Sequence, residues 1–300
     1  MESLIEQIFN GVSLGSILLI VALGLSFTFG QMGVINMAHG ELIMIGAYTP
    51  YFLQSESGWF DGGASSTAFV VALPLGFLAA GLVGVAMERT LLRRMVGRPL
   101  DTLLVTFGIS LILQQAARDT FGAPNVDVVS PTWLTGRWEL LGVVMPHRRL
   151  FIIALVMLAV AALSAFLATR PEGRRMRAVM QNRDLAEVSG LSTRRVDRTT
   201  FFLGSALAGL AGVAVSLVGS VGSQVGTGYI VDAFLVVIVG GLGKLRGAIV
   251  AALALGLLNA FSEFWTSASI GKAVVFVAVI AFLQFRPNGL VSFRTRGLVA

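Results

Sequence analysis

The sequence predicts an all-α polytopic membrane protein of about nine transmembrane helices (eight to ten), with a periplasmic N-terminus and a cytoplasmic C-terminus. Three observations carry that prediction. Hydrophobic residues make up 55% of the chain and charged residues only 13%, with a mean hydropathy of +0.83, whereas an ordinary soluble domain is about 25% charged. Apolar runs long enough to cross about 30 Å of hydrocarbon as helices recur along the whole length with short polar gaps, which leaves no room for a sizeable soluble domain. The polar gaps also alternate in charge, and arginine-rich gaps orient membrane helices with their basic side in the cytoplasm.

The elements follow in order. Gly11–Phe29 is preceded only by Glu2 and Glu6, where a cleavable signal would carry positive charge, so it reads as the first retained helix. The next spans are Gly33–Leu53 and Thr67–Met87, with Glu56 and Asp61 between them on the outer side. Arg89, Arg93, Arg94 and Arg98 then precede Thr102–Ala117 and fix the inner side. The loop 121–149, with Pro124, Pro131, Pro146 and two tryptophans, falls outside, and its His147 reads as a surface residue. Leu150–Ala168 leads inward to 170–198, the longest hydrophilic stretch. Thr199–Ser220, Tyr229–Gly243, Leu245–Trp265 and Ile270–Phe285 complete the set, and Arg286, Arg294 and Arg296 place the C-terminal end inside. The fourth and seventh spans are shorter than a full crossing and read as candidates for broken or re-entrant segments. Aligning Gly33 with Gly228 brings Ile35 opposite Ile230 and Gly46 opposite Gly241, a faint internal echo of the kind that marks transport sites at repeat interfaces.

Chemistry concentrates at two places. Residues 35–48 read INMAHGELIMIGAY, placing one of only two histidines beside an asparagine and a glutamate in a greasy stretch. As a continuous helix, Asn36, His39 and Gly40 share one face, while Glu41 points away and lines up with Tyr48. A charge facing lipid costs several kcal/mol, so both faces must meet protein or water. The alternative is backbone unwound around Met37–Gly40, tolerated only where it is buried in protein or lines a cavity. Mutual bracing and direct substrate contact both remain open as roles for Asn36, His39 and Glu41. Enzymatic readings have little to stand on. Gly40 separates His39 from Glu41 where a zinc protease needs H-E-x-x-H, and no Walker-type loop is present. The segment Gly240–Gly247 reads as a tight turn, and the absence of cysteine excludes disulfides and thiolate ligands.

The second place is 172–192, EGRRMRAVMQNRDLAEVSGLS. Met176, Val179, Met180, Leu185 and Val188 are spaced as on one side of short helices, and Gly190 ends the run. A membrane-surface helix and a docking helix for a soluble partner are the two readings.

GLSFTFGQMGVINMAHGELIMIGAY (24–48), EGRRMRAVMQNRDLAEVSGLSTRRVDR (172–198), GSALAGLAGV (204–213) and RPNGLV (286–291) together resemble the membrane subunits of branched-chain amino acid-type ABC importers, over nearly the whole chain. Stretches 100–134, 229–249 and 269–293 are more similar to the first permease subunit of the urea importer, although Phe234, Lys244 and Arg246 depart from that pattern. The resemblance implies a single transmembrane permease domain over 1–300, with no catalytic role and no cofactor. It implies a heterodimer with a second homologous permease, two ATP-binding cassette ATPase subunits, a periplasmic substrate-binding protein, contact with membrane lipid and no nucleic acid. The pathway or interface would involve Asn36, His39, Glu41, Tyr48 and Asp232. Coupling to the ATPase would fall on Glu172, Gly173, Arg174, Arg177, Asp184, Ala186 and Gly190. Urea or a short amide is the implied solute, with a branched-chain or polar amino acid as the alternative. A reading from another class is a stand-alone channel or ion-coupled carrier. Against it, ionisable residues within spans are few, chiefly His39, Glu41, Asp232, Glu263 and Lys272.

Overall fold

The computed structural model describes residues 2–56, 65–140, 143–241, 243–287 and 289–291. Asp61, Leu242, Arg294 and Arg296, which entered the readings of orientation and of the turn, lie outside them. The described chain runs α1 (Glu2–Met32), α2 (His39–Tyr51, continued by a π turn at Phe52–Glu56), α3 (Ser65–Thr90, then a 3₁₀ turn at Leu92–Arg94) and α4 (Pro99–Phe121). A short hairpin of β1 (Arg137–Leu140) and β2 (Val143–Pro146) leads into α5 (His147–Thr169). Two short helices, α6 (Pro171–Gln181) and α7 (Arg183–Val188), precede α8 (Thr193–Val215), α9 (Val225–Gly240), α10 (Leu245–Trp265) and α11 (Ala268–Phe285).

Among the described residues, seven helices are long and apolar enough to cross a membrane: α1, α3, α4, α5, α8, α10 and α11. The other two apolar segments, α2 with 13 residues and α9 with 16, are shorter. This corrects the expected spans at three points. The second span does not begin at Gly33, because Gly33 adopts φ +65° and closes α1, and residues 33–38 run non-helically before α2 starts at His39. The fourth segment is a full 23-residue helix, since Pro99 opens it and the polar residues Gln114, Gln115 and Arg118 belong to it. The sixth starts at Thr193, earlier than expected, because Val196 and Asp197 are buried and keep its polar first turns helical.

The elements also repeat. A long helix, a non-helical break, a short helix and another long helix occur as α1, 33–38, α2, α3 and again as α8, 216–224, α9, α10. The register differs from the expected echo: Gly33 lies in the first break, whereas Gly228 lies inside α9. The matching residues in space are instead Gly40 and Gly226, each the second residue of its short helix. A Cβ on Gly226 would sit 1.9 Å from the Gly40 carbonyl oxygen.

Packing has an inner and an outer ring. In α1 and α8, 78% and 72% of the apolar window is buried, against 22% in α4 and 17% in α5 and α11. Lipid tails are as apolar as leucine, so inner helices associate by close backbone approach rather than by water exclusion. Gly46 of α2 shows this directly, because a Cβ there would lie 1.9 Å from the Gly209 carbonyl oxygen of α8. His147 departs from the surface reading: it is half-buried at the start of α5, its ring edge-on to Trp138 at 5.5 Å.

Candidate functional site

The short helices meet at their beginnings. Gln54 at the far end of α2 bonds the backbone of Val129 in the 121–146 loop, and Val221 just before α9 bridges Val126 of the same loop. At the opposite end, Gly243 after α9 packs on Gly30 near the end of α1. The chain therefore runs toward that loop along α2 and away from it along α9, with the two first turns in contact at Gly40 and Gly226. Each helix N-terminus carries about half a positive charge, so two of them side by side favour an acidic group nearby. Glu41, in the first turn of α2, is that group.

Glu41 is buried, and its two carboxylate oxygens differ. Oε1 accepts from Ser110 Oγ at 2.7 Å and from Gln114 Nε2 at 2.8 Å, both on α4, whereas Oε2 is buried with no hydrogen-bond partner among the described residues. Gln114 also reaches Thr227 Oγ1 in the first turn of α9 at 3.5 Å. One turn closer to the start of α4, Thr106 Oγ1 accepts from Met37 N at 3.0 Å and donates to Ile35 O at 3.2 Å. That hydroxyl satisfies backbone exposed by the break, the condition under which non-helical chain is tolerated at membrane depth. The result is a polar seam between α2, α4 and the start of α9.

The other expected residues fall in different places. Asn36 lies in the break, not on the helix with His39, so the shared-face reading of a continuous helix fails; its amide is buried with neither atom partnered among the described residues. His39 turns to the inner ring, its Nε2 3.2 Å from Val21 O, which makes it a packing contact of α1 with α2. Tyr48 stacks on Phe121 of α4, with ring centroids 4.4 Å apart. Asp232 is not part of the seam: its carboxylate faces Lys272 of α11 at 3.9 Å, beside Leu18, Leu255 and Asn259. Ser110, Gln114 and Thr106 were not singled out from the sequence. Their signal was present as polar residues at intervals of four along one face of an apolar span.

Beyond the seam, the same faces of α2 and α4 diverge into an apolar groove of ≈ 590 Å³. Met44, Tyr48, Leu113, Ala117 and Phe121 line it, with Leu75 and Leu78 of α3 on its third side.

The 170–198 segment forms its own small core from Met176, Val179, Ala186 and Val196, packed on Phe166, Leu167, Leu191 and Leu203. Gly173 lets α6 lie against α5, since a Cβ would stand 2.5 Å from the Leu167 carbonyl oxygen. Arg174 and Arg177 turn back to donate to the Thr169 and Leu167 carbonyls at the end of α5. They cap that helix instead of pointing outward. Asn182 caps α7 by accepting from Leu185 N at 2.9 Å, and Gly190 at φ +82° closes it. Arg183 binds Asp197 of α8 through two hydrogen bonds, 3.1 and 2.5 Å, and that carboxylate holds the guanidinium even further above its ordinary range. Glu172 is half-buried and Asp184 exposed. The expected single apolar stripe therefore splits: Met176, Val179 and Ala186 face inward, while Leu185 and Val188 stand 63% and 87% exposed. Ala186 is thus a core residue of the loop and offers no outer packing surface.

A family model described as the permease component of branched-chain amino acid transport systems matches residues 7–283. The high-affinity branched-chain amino acid transport system permease protein LivH of Escherichia coli K12 is 30% identical over 95% of this chain and 94% of its own length. BraD of Pseudomonas aeruginosa, a permease protein of the same description, is 27% identical over 95% of each chain. The permease protein LivM of E. coli K12 is 27% identical over 93% of this chain and 68% of its own. A match across nearly the whole chain, on a helical framework with seven candidate spans, settles the family: this multi-pass inner-membrane protein belongs to the permease components of branched-chain amino acid transport systems.

Proposed function

We propose that this chain is a membrane permease subunit of an ATP-driven importer for branched-chain amino acids, with the seam of α2, α4 and α9 forming part of its pathway. The observation that carries this reading is a buried Glu41 oxygen without a hydrogen-bond partner among the described residues, on the same helix and about one turn before Met44, which lines the apolar groove. An amino acid presents an ammonium group for a carboxylate, a carboxylate for helix N-termini, and a branched apolar side chain for the groove. Urea is polar throughout and has no use for the apolar half. The names of the similar permeases also support the amino acid alternative over urea.

Similarity to both LivH and LivM supports pairing with a second, homologous permease. Two ATPase subunits and a periplasmic binding protein complete the proposed assembly. In it, α2 and α9 finish their crossings with the help of the adjoining breaks, which gives nine membrane passes. The exposed Leu185 and Val188 on the rigidly capped α7 offer the ATPase an apolar foothold.

The test is ATP-driven uptake by the reconstituted assembly. Leucine, isoleucine or valine should accumulate and urea should not. Uptake of urea alone would overturn the substrate assignment, and uptake by this subunit without ATPases would overturn the importer reading.

A further inference from the structure

Four arginines meet where no part of the proposed pathway lies. Arg93 and Arg94 stand on the 3₁₀ turn after α3, where Leu92 is fully buried and anchors the turn so that both neighbours project outward. Arg183 opens α7, and Arg194 is the second residue of α8. With Val96, Glu187, Thr193 and Asp197 they line a cavity of ≈ 400 Å³. Both acids are already engaged: Asp197 holds Arg183, and Glu187 accepts from Thr193 Oγ1 at 2.5 Å. The guanidinium groups of Arg93, Arg94 and Arg194 make no hydrogen bond or salt bridge among the described residues, although Arg93 lies within electrostatic reach of the buried Glu88.

Three guanidinium groups without a hydrogen-bonded partner thus line one cavity, and the N-terminus of α8, which has no side-chain cap, adds its own partial positive charge. Guanidinium groups present paired N–H donors that match phosphate oxygens. The position narrows the source. The cavity joins the ends of two candidate spans, Ser66–Arg94 and Thr193–Val215, which in a bilayer would set it near the headgroup region. Basic pockets between span ends are where anionic headgroups bind.

We propose that Arg93, Arg94 and Arg194 form a phosphate-binding site that holds the headgroup of an anionic phospholipid against the junction of α3, α7 and α8. Because Arg183 and Asp197 tie α7 to α8 at its wall, the bound lipid would steady the 170–198 segment on the bundle. The inference rests on membrane embedding alone, not on the transported substrate.

The test uses the purified full chain in detergent micelles, with native mass spectrometry reading retained phosphatidylglycerol against phosphatidylcholine, and thermal stability read with each lipid or with inorganic phosphate. The wild-type chain should retain phosphatidylglycerol at least tenfold over phosphatidylcholine, and Arg93→Gln/Arg94→Gln/Arg194→Gln should abolish that preference. The exposed controls Arg98→Gln and Arg175→Gln should leave it intact. If the triple variant does not fold, Arg93→Gln and Arg194→Gln are read singly, each expected to weaken retention several-fold. Unchanged selectivity in these variants would overturn the proposal. Equal stabilisation by inorganic phosphate would overturn the lipid assignment in favour of a soluble anion. Loss of ATPase binding with lipid retention intact would make the pocket a protein-docking surface and overturn it as well.

Discussion

Glu41 divides its two oxygens between two tasks, and that division makes its roles separable. Oε1 ties α4 to α2 through Ser110 and Gln114, while Oε2 is left for another partner. Glu41→Gln keeps an amide oxygen for Ser110 and Gln114 but loses the carboxylate. We expect normal membrane assembly by size-exclusion chromatography and at least a tenfold fall in ATP-driven uptake. Loss of assembly would reduce Glu41 to a brace, and unimpaired uptake would remove it from the pathway. The sequence exposed Glu41 because an ionisable residue in an apolar run is conspicuous, but hid its partners because serine and glutamine are ordinary in membrane helices. Asp232, expected with Glu41 at a pathway or interface, lies instead beside Lys272 of α11, a neighbour that one sequence without its packing does not reveal. In the first turns of α8, Asp197 is 4% exposed and pairs with Arg183. Asp197→Ala strands a partly buried guanidinium and should cost about 3 kcal/mol. Faster hydrogen exchange across residues 171–198 would show it, and unchanged protection there would rule it out.

At the scale of elements, the two short helices depend on glycine and the coupling segment depends on caps. Gly46→Leu would drive a side chain into the α8 backbone at Gly209, so α2 could not seat and the chain should be degraded after insertion, as measured by its steady-state level in membranes; a normal level would refute the packing. This close approach was not legible in the sequence, where Gly46 looked like one small residue among many, and the break at 33–38 was foreshadowed only by the alternative of backbone unwound around Met37–Gly40. Hydropathy averages over a window, so it merged break and helix into one span, while only backbone packing distinguishes them. The end of α7 at Gly190, in contrast, was legible, because that glycine is a local signal. Given that rigid α7, Leu185→Asp and Val188→Asp should leave the permease inserted, paired and folded, since both side chains stand in solvent. They should release the ATPase in pull-down and abolish transport-coupled ATP hydrolysis. Normal coupling in the double variant would deny α7 the role.

At the scale of the molecule, the decisive feature is that most of the basic residues, separated in sequence, gather at one end. The cavity at the foot of α3 brings Arg93 and Arg94 beside Arg183 and Arg194, and the turn after α9 packs near the end of α1, placing Lys244 and Arg246 at that same end. At the opposite end lie the hairpin and the 121–146 loop, where Arg137 is partnered by Glu139 at 3.5 Å. Lys and Arg resist translocation, so the proposed orientation keeps the arginine-rich end in the cytoplasm. This orientation depends on α2 and α9 completing their crossings. If both turned back instead, α3 and α10 would each start from the wrong side, and the basic clusters would fall on opposite faces of the membrane. A phosphatase fusion inserted near Gly62, between α2 and α3, should therefore be active in the periplasm. A fusion within 183–190 and one after Ala300 should be inactive there but fluorescent as cytoplasmic fusions. An active phosphatase at 183–190 would reverse the whole bundle, and cytoplasmic fluorescence at Gly62 would show that α2 fails to cross. The second result would separate the two first turns that meet at Gly40 and Gly226 from the pathway proposed for them.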